Sequence, residues 1–357
     1  PNKSLTWATV EKYDLGIDFS VLNSRVNGSI DLYTGQTTNM IVQRSVPYIT
    51  GFTAAYDNVG KVTNKGIEFT VNTININGNG KDSFRWESNL VFDSNANKLV
   101  ELFGPDHDGN EADDITNATT YGYDSYVCLQ VGRPIGAGYD YKLLGVFQSQ
   151  DEIDNYKSSD GTVIMPNAKP GDYKFEDYNN DGKIDADDRH YVGSPDPLFT
   201  LNFGNTLSWK NFSLYFNFRW AQGDKNHFLW CNPNGHQSNF GSGAQLADSK
   251  PWTEKNHSTT VARYGYQNTL GYNFWENRSF LKLKDLSFSY TFDQNFIKKV
   301  GLSNARVYVA ATDLFTITKW SGLDPENGGT IASNSASDKY GSNGTYKTVT
   351  FGVNLTF

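Results

Sequence analysis

The chain has 357 residues, 38% of them hydrophobic, a mean hydropathy of -0.56, and a formal net charge of -8 from 39 acidic and 31 basic residues. No apolar run approaches the roughly 20 residues of a membrane helix, which excludes spanning by helices but not by strands. No Lys/Arg block stands out, so nucleic acid is excluded as a partner.

Apolar residues alternate with polar ones from the start: Tyr13, Leu15, Ile17, Phe19 and Val21 are interleaved with Asp14, Gly16, Asp18 and Ser20. A side-chain period of two is a strand signal, and no helix would put these residues on one side. The same pattern predicts strands over 9–21, 25–35, 64–76, 83–93, 198–209, 212–221, 280–292, 304–314 and 346–357. In the fourth, Phe84, Trp86, Leu90 and Phe92 share a face; in the fifth and sixth, Phe199 to Trp209 and Phe212 to Trp220 repeat it. The last strand, Val349 to Phe357, carries apolar residues at alternate positions and stops on an aromatic, which makes Phe357 the expected barrel-assembly terminus.

The connections alternate in length. Short ones fall at 22–24, 77–82, 210–211 and 293–303, and long ones at 36–63, 94–197, 222–279 and 315–345. Bacterial outer-membrane barrels have short periplasmic turns and longer extracellular loops, so the fold class expected is all-β, a transmembrane antiparallel barrel. With the last strand ending on the periplasmic side an odd number is required, and nine fits. A tenth candidate, Tyr139 to Phe147, has weak alternation and is placed inside the loop 94–197 as a hairpin arm. Residues 1–357 therefore form one part of a single barrel domain, and other polypeptide must supply further strands, because open sheet edges are not tolerated in lipid. Pro1 in place of Met, and the absence of a signal segment, agree with a fragment, a processed product or one piece of a split polypeptide.

From Asp177 the sequence runs Asp-Tyr-Asn-Asn-Asp-Gly-Lys-Ile-Asp-Ala-Asp-Asp. Against the twelve-residue EF-hand loop, Asp177, Asn179 and Asp181 take ligand positions 1, 3 and 5, and Gly182 the sharp turn. The Lys183 carbonyl takes position 7, Asp185 position 9, and Asp188 replaces the usual Glu at position 12. Hard oxygen donors at this spacing wrap one cation, so a structural calcium is expected at 177–188.

Trp230, Trp252, Trp275 and Trp320 fall in predicted external loops, with Tyr264, Tyr266 and Tyr272 nearby. Aromatic faces stack on sugar rings and also grip a protein lid, and they serve equally as loop packing. Trp86, Trp209 and Trp220 lie on outward faces and are assigned to an aromatic girdle. Asp14, Asp18, Asp31, Glu68, Arg85, Glu87, Tyr215 and Arg219 fall on the inward face and are read as its hydrogen-bonded, ion-paired wall. Cys128 and Cys231 show no Cys-x-x-Cys spacing, and the five histidines make no zinc pattern. No nucleophile elbow or phosphate loop occurs, so the chain is not expected to be an enzyme.

Several segments resemble SusC-like TonB-dependent transporters of the outer membrane. They are Asn58-Val-Gly-Lys-Val-Thr-Asn-Lys-Gly-Ile-Glu68, Pro170 to Asp177 leading into the acidic loop, Arg189 with Gly193 to Pro197, Ser279 to Tyr290, Ala311 to Thr316, and Gly322-Leu-Asp-Pro-Glu326. The resemblance implies a barrel of about 22 strands, of which this chain supplies the last nine. The plug domain, the TonB box and the first strands would precede it. It further implies import of oligosaccharides or peptides, a SusD-like lipoprotein over the extracellular mouth, energy coupling to the TonB complex through the missing N-terminal region, and an outer-membrane location. The alternative from another class is a soluble, calcium-binding β-sandwich acting as a carbohydrate-binding or adhesin module.

Overall fold

The computed structural model describes residues 5–45, 49, 51, 54–58, 60–78, 80, 82–102, 129–194, 196–223, 225–227, 250–272, 275–320, 324–326 and 345–357. Its frame is one antiparallel sheet of nine strands in sequence order. We number them β1 Thr9–Val21, β2 Val26–Thr38, β3 Lys61–Ile76, β4 Phe84–Glu101, β5 Phe199–Trp209, β6 Phe212–Gln222, β7 Phe280–Thr291, β8 Asn304–Thr318 and β9 Thr348–Thr356. Each strand pairs only with its sequence neighbours, and β1 and β9 are the edges of this sheet.

Register fixes the two faces. One cross-strand row runs Ile17, Ile30, Phe69, Phe92, Leu201, Trp220, Leu281, Ile317, apolar in all eight strands it crosses. A second runs Trp86, Leu207, Leu214, Phe288, Val309, Phe351. Ile17, Trp220, Ile317, Phe288 and Phe351 on this face are all exposed. Among the described residues no second sheet covers it, as a sandwich would demand. The opposite face is polar: Asn27, Asn72, Asn89 and Gly204 form one row, and Asp31, Glu68, Asp93 and Thr200 another. Three carboxylates stand directly opposite one another in this row, an arrangement in which like charges repel.

Bulges adjust the pairing without losing the faces. One in β7 between Leu283 and Asp285 restores the outward phase, so that Leu281, Leu283, Leu286 and Phe288 all point the same way. Two inward glycines receive tyrosine rings from the neighbouring strand. A Cβ on Gly66 would lie 2.2 Å from the Tyr33 ring, and one on Gly352 2.2 Å from the Tyr308 ring. A Gly66→Ala substitution is therefore expected to force Tyr33 off its site and cost about 1–3 kcal/mol, read as a lower urea midpoint of the refolded barrel.

Strands β2, β4 and β8 run further than the alternation indicates. β4 ends at Glu101, not Asp93, because pairing to β3 continues and Leu99 is buried with Val62 and Leu102 against Met40, Leu129, Val131 and Ile135. The arm expected over Tyr139 to Phe147 is two short strands rather than one. Gly138–Asp140 pairs with His190–Gly193, and Leu143–Val146 pairs with Tyr173–Phe175.

Candidate functional site at the strand ends and inner wall

The long connections after β4 and β6 share a core. Tyr141, Val146, Tyr173 and Phe175 from the first are buried with Ala262, Tyr266 and Tyr272 from the second. Ring edges meet faces: Tyr173 and Tyr266 centroids lie 5.1 Å apart, and Phe175 and Tyr272 5.2 Å. Burial raises the pKa of both Tyr266 and Tyr272, with nearby Asp172 adding to the effect on the first and Asp140 on the second. The Arg263 guanidinium meets Asp172 at 2.7 Å across the junction. Gly171, at φ +91°, lets the chain pass under Trp252, where a Cβ would come within 2.5 Å of the indole.

Of the loop tryptophans, Trp252 and Trp275 pack against this core. Trp252 donates its Nε1 hydrogen to Gln148 Oε1 at 3.2 Å, and Trp275 donates to the buried Asp140 Oδ2 at 2.9 Å. Trp320 is buried, with the Arg278 guanidinium 5.8 Å from its ring centroid. Trp230, Cys128 and Cys231 lie outside the described residues. Trp275 also lines, with Tyr141, His190, Tyr191 and Tyr272, a cleft of about 340 Å³.

The acidic loop is closed by its own backbone. Asp177 accepts from Asp181 N at 3.1 Å and Gly182 N at 2.9 Å, Asn179 accepts from Asp181 N at 3.0 Å, and Asp181 accepts from Lys183 N at 3.2 Å. Gly182 turns at φ +88°, the position the loop spacing assigns to it. Asp188 is fully buried, its Oδ1 accepting from Tyr178 N at 2.8 Å and its Oδ2 from Asp185 N at 2.8 Å. Ile184 anchors the loop on the aromatic core. The side chain of Lys183, in contrast, sits between Asp181 and Asp185, pairing with the first at 3.3 Å and with the second in a close ion pair. Hydrogen bonds to these carboxylates, Asp185 foremost, raise the Lys183 pKa, and Lys183 in turn lowers that of Asp185. Among the described residues no three carboxylate, imidazole or thiolate groups stand close enough to hold a metal.

A second charged centre lies on the inner wall where β7 and β8 reach the long-loop end. The ammonium of Lys282, 1% exposed, meets Asp324 at 3.0 and 3.1 Å and Glu326 at 2.8 Å. Lys284 bridges Asp313 at 3.1 Å and Glu326 at 3.2 Å, and Arg219 reaches Glu326 at 3.2 Å. Arg278 donates twice to the Pro325 carbonyl, at 3.0 and 2.7 Å. Asp324-Pro325-Glu326 is thereby strapped to the wall. Burial works against ionisation of Glu326, yet the lysine ammoniums outweigh it and its pKa is lowered. Sequence reading placed Arg219 on this wall but missed Lys282 as its buried centre, since the carboxylates it meets lie about forty residues further along.

A family model described as "TonB dependent receptor-like, beta-barrel" matches residues 1–164. A TonB-dependent receptor of Formosa agariphila is 31% identical over 366 aligned residues, covering 100% of this chain and 35% of that protein. Over residues 1–164 the chain is TonB-dependent receptor barrel. The TonB-dependent receptor SusC of Bacteroides thetaiotaomicron is 26% identical, over 91% of this chain and 30% of its own length. Among solved structures, that of the RagAB peptide importer in its open-open state superposes with a TM-score of 0.71 at 24% identity, covering 99% of this chain and 35% of that one. The chain thus spans about a third of the length of the receptors it matches.

As a TonB-dependent receptor barrel segment, the chain lies in the outer membrane, and its apolar rows are the face turned to lipid. The soluble sandwich is not the architecture. The relatives are named as receptors and not as enzymes, in keeping with the lack of a nucleophile motif. Trp86, Trp209 and Trp220 stand on the outer face, and Phe357, 90% exposed, continues the outward series of Phe351, Val353 and Leu355.

Proposed function

We propose that this chain is the C-terminal part of a SusC-like importer, contributing nine strands to a barrel of about 22 that carries oligosaccharides or peptides across the outer membrane. The observation that carries the reading is the division of the sheet into one face crossed by apolar rows and one polar face, with the two long connections after β4 and β6 packed on a shared core. The relative named SusC and the RagAB peptide importer support the same assignment. In this reading a plug domain packs on the inner wall, bringing positive charge to Asp31, Glu68 and Asp93. A SusD-like lipoprotein covers the loop body, and the TonB complex drives opening through the N-terminal region.

Deletion of the complete receptor gene tests this through uptake of labelled oligosaccharides and labelled peptides by whole cells. Loss of one class identifies the substrate. Unchanged uptake of both classes would refute the importer assignment.

We propose further that calcium is held in the 177–188 loop by Asp177, Asn179, Asp181, the Lys183 carbonyl, Asp185 and Asp188. Its support is the spacing and the turn geometry at Gly182. Binding requires the exposed Lys183 side chain to swing away from Asp181 and Asp185, and Asp188 to share oxygens now committed to backbone N–H groups. Lys183→Met should therefore tighten calcium binding, by about tenfold if one opposing charge is removed near the ion, as measured by calorimetry on the full receptor. Asp177→Ala with Asp181→Ala should abolish it while leaving the barrel folded. Calorimetry without a calcium signal in either the parent or the Met variant would eliminate the site.

A further inference from the structure

At the short-turn end of β6 and β7, the outer face finishes in a ladder of rings. Centroids of Phe288 and Phe212 lie 5.7 Å apart, Phe212 and Tyr290 4.8 Å, Tyr290 and Phe292 5.1 Å, and Phe292 and Phe296 6.3 Å. The ladder leaves the strand and continues onto a helical turn, α1, Gln294–Ile297. Ile297 is buried, while Phe296 is 62% exposed. Lys298 and Lys299 follow at once, both exposed. In the neighbouring turn Lys210 stands 4.9 Å from the Trp209 ring centroid. The two turns are tied together, Thr291 N donating to Asn211 O at 2.9 Å and Asn211 Nδ2 to Asp293 Oδ2 at 3.2 Å. Among the described residues Lys210, Lys298 and Lys299 make no ion pair; Asp293, the nearby carboxylate, is engaged by Asn211.

We propose that this patch seats a glycerophospholipid, with the rings among its acyl chains and glycerol and the three lysines around its phosphate. The proposal rests on the outer-membrane reading above. Phe288 belongs to the lipid-facing row that ends at Phe351, so the ladder continues a surface already assigned to lipid. Rings at an interface place an apolar body beside a polar region, and lysine stems lie along apolar surface while their ammoniums reach headgroup level. Unpaired ammoniums beside exposed rings answer the chemistry of an anionic headgroup on an acyl chain, which a protein partner of the membrane-embedded face would not supply.

The test uses the full receptor in nanodiscs of phosphatidylethanolamine and phosphatidylglycerol, followed by delipidation and native mass spectrometry. The parent should retain phosphatidylglycerol, and the triple variant Lys210→Gln, Lys298→Gln, Lys299→Gln should bind it about tenfold or more weakly. Phe296→Ala should weaken retention, and Lys157→Gln, in a long loop, should leave it unchanged. Equal retention by parent and triple variant would overturn the proposal, as would displacement of the lipid by inorganic phosphate alone or crosslinking of Phe296 to a protein. Entry of both proteins into nanodiscs is a separate readout of the membrane reading, so failure of one is distinguishable from failure of the other.

Discussion

Replacing Lys282 by methionine is expected to destabilise the folded barrel by about 3–5 kcal/mol, the usual cost of removing one partner from a buried ion pair. The ammonium is enclosed, and it is the group that neutralises Asp324 and shares Glu326 with Lys284 and Arg219. Without it, Asp324 is left charged and enclosed, while Lys284 keeps Asp313 and Glu326 and Arg219 keeps Glu326. Urea titration of the refolded receptor in detergent measures the loss. The double variant Lys282→Met, Asp324→Leu should recover much of it, because the uncompensated charge is gone with its partner. Acid should mimic the single variant. The pKa of Glu326 is lowered in the fold, so its contribution is complete above the ordinary glutamate range and is lost as pH falls through the lowered value. A Glu326→Gln receptor should accordingly show a shallower acid dependence. An unchanged urea midpoint in Lys282→Met would remove the strap from any account of stability.

The second large effect is expected on the opposite face. Phe203 sits at the middle of β5, between Leu90 and Phe218 on the neighbouring strands, and is exposed to the lipid side. Phe203→Arg puts a guanidinium into hydrocarbon and should cost about 2–4 kcal/mol near the midplane. Trp209→Arg, at the turn, should cost about 0–1 kcal/mol, because there the side chain reaches headgroups. Folding of both variants into vesicles, titrated with urea, gives the two numbers. Equal costs would mean that the rows do not cross the bilayer at the depth assigned.

The strands were legible because the two solvents of a barrel wall impose a strict period of two, and Ile17, Phe92, Leu201 and Trp220 carry that period in their own segments. Register followed from the short turns, which leave little freedom to slip. The ends were less legible. Residues 94–101 of β4 lose the alternation, and their pairing comes from β3 and from burial of Leu99, both non-local. The acidic loop was visible as spacing, whereas the placement of the Lys183 side chain between two carboxylates was not. Trp252, Trp275 and Trp320 illustrate the same limit: an aromatic in a polar loop looks available for ligand until its partners, Gln148, Asp140 and Arg278, are known. Lys282 looked like any inward lysine on a strand, because nothing local announces that Asp324 will enclose it.

The shared aromatic core of the two long connections also constrains the order of events during biogenesis. Its halves come from opposite sides of the β5–β6 hairpin, so Tyr173 cannot meet Tyr266 until both connections stand on the same side of the membrane. Completion of that core is thus a record that the hairpin between them has crossed. A chain stalled with one connection untranslocated would leave Tyr141, Tyr173 and Phe175 uncovered, presenting a greasy surface to quality-control proteases while correctly threaded molecules have already hidden theirs.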